Sequence, residues 1–62
     1  MKYTIKAYND QEECMHTERE STLDRARTAA KRLRSSPGLK PYFVQVTSGD
    51  EVVAHYERLK KT

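Results

Sequence analysis

The sequence predicts an α+β domain of the order β-β-α-β-β, an antiparallel sheet of three or four strands with one helix packed on one face. Three observations lead there. Residues 21–36 are the one stretch with apolar side chains at helical spacing. Residues 2–8 alternate strictly between apolar and polar, as a half-buried strand does. Two runs rich in valine and tyrosine, residues 42–47 and 51–58, flank a glycine-containing turn, the pattern of a hairpin.

In the first strand, Tyr3, Ile5 and Ala7 fall on one face, and Lys2, Thr4, Lys6 and Tyr8 on the other. Asn9, Asp10, Gln11 and Glu12 read as a turn, because Asn and Asp side chains satisfy backbone groups locally. Residues 13–19 form a weaker pattern, either a second strand that completes a hairpin or in part a loop leading into the helix. A symmetric turn sets Ala7 opposite Cys14 and Ile5 opposite His16. A loop one residue longer sets Ala7 opposite Met15 and Ile5 opposite Thr17. The longer loop is expected, since burying a methionine outweighs a small preference in loop length.

The helix is expected over about residues 22–36. At 100° per residue, Leu23, Ala26, Ala29, Ala30 and Leu33 share one arc. Ser21 or Thr22 supplies the N-cap, and Asp24 sits in the first turn, where the helix dipole favours an anion. Pro37 and Gly38 end it. Three alanines on the buried arc bring the helix axis close to its cover. In the loop that follows, Leu39 is placed to tuck under the helix end.

Two registers compete in the second hairpin. A two-residue turn at Gly49-Asp50 suits type II′ geometry and pairs Val46 with Val53 and Phe43 with Tyr56. A three-residue loop pairs Val46 with Val52, Val44 with Ala54 and Tyr42 with Tyr56. The second gathers Tyr42, Val44, Val46, Val52, Ala54 and Tyr56 on one face, and burial of six side chains favours it. The tail, residues 59–62 with Lys60 and Lys61, is expected to fray.

Sixty-two residues allow one small domain, 1–62, with a modest core. At 35% hydrophobic and 34% charged the chain is polar, but its regular patterning argues against disorder. No apolar run approaches a membrane span, and the N-terminus enters a strand pattern directly, with no signal peptide. Cys14 is the only cysteine, so no intrachain disulfide forms and a reducing cytoplasm is the expected location. The net charge of +3 is unevenly spread. Residues 22–36 hold five basic groups (Arg25, Arg27, Lys31, Arg32 and Arg34) against Asp24, whereas residues 10–20 hold five acids against Arg19.

No catalytic constellation stands out, and the chain is read as non-enzymatic. Cys14 and His16 at i and i+2 would share a strand face, but a nucleophile also needs its base oriented by a third group. Cys14, His16 and His55 with a carboxylate are the best available zinc ligands, and they lack the paired spacing of zinc sites. Gly38 and Gly49 are isolated turn glycines rather than a phosphate loop. No cofactor or metal is expected.

Two contact surfaces remain. On the outer helix face, Arg27, Lys31 and Arg34 follow one edge and Arg25 and Arg32 the other, rows that suit phosphates or an acidic protein patch but also serve as a solubilising exterior. On the sheet face away from the helix, Lys2, Lys6, Tyr8, Phe43, Gln45, Val53 and His55 form either a small apolar patch or a platform for unpaired bases. The acidic segment 10–20 at the rim would repel phosphate, which places nucleic acid second to a protein partner.

A first strand, a helix with Thr22, Ala26 and Ala30 at four-residue steps, and a hairpin reading Val44-Gln45-Val46, Gly49, then Val52-Val53-Ala54-His55-Tyr56 resemble the layout of very small phage and mobile-element proteins. The chain is similar in architecture to small anti-CRISPR proteins with one helix on an antiparallel sheet. That resemblance implies an inhibitor that binds a CRISPR effector complex and blocks its access to target DNA. The leading expectation is therefore a non-catalytic binding protein that docks on a protein complex. Its alternative is direct nucleic-acid binding through the basic helix or the open sheet face. An exposed edge strand and the Phe43/Val53 patch also suit a homodimer.

Overall fold

The computed structural model describes residues 3–39 and 41–57. Lys2, Lys40, Arg58 and the tail 59–62, and with them the expectations made for these positions, lie outside the described residues. Four strands and one helix follow in the expected order: β1 (Tyr3–Tyr8), β2 (Cys14–Glu20), α1 (Leu23–Arg34), β3 (Phe43–Ser48) and β4 (Glu51–Glu57). All four strands belong to one antiparallel sheet of order β2-β1-β3-β4, so the weak pattern after the first turn is a full edge strand. No helix among the described residues is long and apolar enough to cross a membrane.

The helix lies over the two central strands. Its Ala26, Ala29, Ala30 and Leu33 pack on Ile5 and Ala7 of β1 and on Val44 and Val46 of β3, all of them buried. Fully burying side chains the size of Ile5, Val44 and Val46 stabilises the fold by about 1.5–3 kcal/mol each. Thr22 is the N-cap, its hydroxyl accepting from Arg25 N at 3.3 Å. The helix ends at Arg34, where Ser35 N bonds Lys31 O and Ser36 N closes a tighter turn on Leu33 O.

Leu23 departs from expectation: it is 39% exposed. Helical side chains lean towards the N-terminus, and from the first helical residue that direction leads off the end of the helix. Leu39 does pack against the core, together with Tyr3, Ala54 and Tyr56.

Both hairpins resolve their register by a device the sequence reading did not weigh, a β-bulge. In the second hairpin Ser48 pairs with Glu51 and Thr47 with Val52, the two-residue Gly49-Asp50 turn. Gly49 has φ +63, which the first central position of a type II′ turn requires. Val53 then bulges, and the ladder resumes with Val46 opposite Ala54 and Val44 opposite Tyr56. The favoured turn and the apolar face are thus both obtained. The expected three-residue loop is corrected, and with it two core assignments. Val52 sits opposite Thr47 and is 51% exposed. Tyr42 lies beyond the paired end of β3 and is exposed, while Pro41 is buried in its stead.

The first hairpin behaves alike. Asn9 Oδ1 accepts from Gln11 N and Glu13 N, both at 2.9 Å, and Glu12 turns the chain at φ 62. Tyr8 pairs with Cys14, Met15 bulges, and Ala7 pairs with His16 and Ile5 with Glu18. Neither register weighed from the sequence is found, and Met15 is 37% exposed instead of buried.

Candidate functional site: the open face of the sheet

Because facing residues share a side of the sheet, the register assigns every strand position. The face away from α1 carries one row in which Cys14, Tyr8, Phe43 and Glu57 are neighbours. The next row holds Thr17, Lys6, Gln45 and His55. A third holds Arg19, Thr4, Thr47 and Val52.

Three rings form a column across these rows. Tyr8 and Phe43 stack with centroids 4.7 Å apart and planes 24° from parallel. Phe43 and His55 follow at 5.3 Å and 34°. Tyr42 meets Phe43 edge-on at 6.4 Å. Such arrangements suit the ring quadrupoles. Gln45 Nε2 donates to His55 Nδ1 at 3.2 Å, which leaves the proton of neutral His55 on Nε2, directed towards Glu57 at 4.0 Å. Of the open-face residues chosen from sequence, Lys6, Tyr8, Phe43 and His55 come together here. Val53 is the bulged residue and has no partner across the ladder.

The helix cations are distributed differently. Arg27 Nε donates to the Tyr56 hydroxyl at 3.2 Å. That bond, and then the electrostatic attraction of the same oxygen, raise the Arg27 pKa above its ordinary value. The Arg34 guanidinium lies 5.5 Å from the centre of the Tyr56 ring. Its Nε is buried without a hydrogen-bond partner among the described residues, and the ring face is what it meets instead. On the other helix edge, Arg32 reaches Glu18 at 3.5 Å, and Glu18 also accepts from His16 Nε2 at 2.9 Å. The side chains of Arg25 and Lys31 make no hydrogen bond or ion pair among the described residues.

Compared with family models, curated proteins and solved structures, the chain matches none.

The Cys14–His16 pair is dismantled by the bulge. Cys14 stands on the open face opposite Tyr8, its Sγ 3.3 Å from Thr17 Oγ1, while His16 stands on the helix side opposite Ala7. The expected shared face assumed a regular strand. Among the described residues no group of three or more His, Cys, Asp and Glu side chains gathers as a metal site. A shallow groove of about 550 Å³ runs between α1 and β2, lined by Glu20, Asp24, Arg25, Thr28, Ala29 and Arg32. It mixes both signs of charge and contains no nucleophile–base pair.

Sequence reasoning missed Gln45 as the group that fixes the His55 tautomer, and Arg19 and Thr17 as members of the open face. The placement of Thr17 and Arg19 depends on the bulge at Met15, for which the sequence has no turn-like signal.

Proposed function

We propose that this chain is a non-enzymatic binding module that docks on a macromolecular partner through the open face of its sheet. The observation that supports this is how the surface groups divide. Arg27 and Arg34 are occupied within the fold on Tyr56, and Arg32, largely exposed, is paired with Glu18. The Tyr8–Phe43–His55 column stands on the sheet face away from the helix, its rings stacked on one another. Large rings kept at a surface are the usual anchors of an interface. Two finer forms compete: inhibition of a nucleic-acid-handling complex by covering a site on it, and direct binding of nucleic acid on the open face.

The test compares two surfaces by retention of host-lysate macromolecules, with protein and nucleic acid both assayed. Phe43→Ser should lose the retained partner, and the double variant Arg25→Ser/Lys31→Ser should keep it. Neither change touches the buried core, and circular dichroism verifies that each variant folds. Loss with the helix variant and retention with Phe43→Ser would move the function to the helix and sink the proposal.

A further inference from the structure

Resting on the open-face reading, we propose that the partner is single-stranded RNA. Its first support is where the carboxylates lie. The chain has nine, all within the described residues. The register leaves only Glu57 on the open face. Glu18 and Glu20 turn to the helix side opposite Ile5 and Tyr3, Glu51 faces Ser48, and Asp24 is on the helix. Asp10, Glu12, Glu13 and Asp50 lie in the two turns. The acidic stretch that seemed to border the whole sheet therefore presents Thr17 and Arg19, not its acids, beside Lys6 and Thr4. On this face the cations Lys6 and Arg19 outnumber the one carboxylate, Glu57 beside His55, and the balance favours phosphate.

The column supplies the second element. It spans β1, β3 and β4 and ends at His55 on the edge strand, where no further strand covers it. An unpaired base stacked on His55 continues the column, and every base has a π face that suits. Lys6 lies in the same row as His55, with Gln45 between them, in reach of the adjoining phosphate. The acidic turn beyond Tyr8 sets the path, since the backbone is favoured towards Lys6 and Arg19 and away from Asp10 and Glu13. Around Lys6 the hydroxyls of Thr4, Thr17 and Thr47 can both donate and accept, as a ribose 2′-hydroxyl requires. That choice favours RNA over DNA.

Fluorescence anisotropy of a short labelled oligouridylate, its oligodeoxyuridylate counterpart and an RNA duplex tests the assignment. The single-stranded RNA should bind best, with log affinity falling by about 0.7 per tenfold salt for each phosphate neutralised. Phe43→Ala and His55→Ala should each weaken it by about tenfold or more. Lys6→Ser should flatten the salt slope by about one contact. Absence of oligouridylate binding at low salt overturns the inference, equal affinity for the deoxy strand overturns the choice of RNA, and preference for duplex overturns stacking. If no oligonucleotide binds while Phe43→Ser still loses the partner retained from lysate, RNA fails and open-face docking stands. If Phe43→Ser loses nothing, docking itself falls.

Discussion

The two flanks of the helix are built on opposite plans. On the β4 side, Tyr56 rises from the edge strand and is held by two arginines of α1, one on its hydroxyl and one over its ring. On the β2 side the edge strand offers His16, Glu18 and Glu20, and the space between strand and helix stays an open groove. One flank is closed by an amphipathic ring, the other by solvated charges. The difference shows that arginines on one short helix need not share a purpose. Those near Tyr56 fasten the helix to the sheet, and those near β2 stand in water.

Mutations that break this contrast should rank accordingly. Tyr56→Ala removes the ring that both Arg27 and Arg34 contact, and should cost about 2–4 kcal/mol in chemical denaturation. A loss as small as that of a surface residue would mean that the β4 flank is no better closed than the other. Tyr56→Phe keeps the ring and deletes only the bond to Arg27, so a smaller drop in melting temperature is expected. Because that bond raises the pKa of an already strongly basic group, its contribution is present at every pH below the usual arginine range. The difference between Tyr56→Phe and wild type should therefore be equal at mildly acidic and mildly alkaline pH; a change between them would implicate another group. Glu18→Gln on the open flank should shift stability by no more than about 0.5 kcal/mol, and less still in high salt, because Arg32 is largely exposed.

The contrast also marks what could be read from the sequence. The α+β class, the element order and the buried alanines of α1 were legible, because period and caps are local properties. The two arginine edges were legible as rows, but not their contacts, which depend on where Tyr56 falls after the bulge at Val53. The registers of both hairpins were missed for one reason. Turn preference and burial were weighed as rivals, and a bulge reconciles them by spending one residue. In β2 no alternation could reveal the inner face, since His16, Glu18 and Glu20 are as polar as the Thr17 and Arg19 opposite them in the pleat. The stacking of Tyr8 on Phe43 followed from the central β1–β3 pairing, which neither hairpin displays in sequence.

The bulges carry a consequence for how such a gene can change. Along a paired strand, losing one codon reverses the facing of every side chain on one side of the lesion. At Met15 and Val53 the chain already holds one residue more than its partner strand. A single-codon deletion at either place would leave Tyr8 with Cys14, Ala7 with His16, Thr47 with Val52 and Val46 with Ala54. Within the paired strands, these are the two points where the reading of the protein can be shortened without being scrambled.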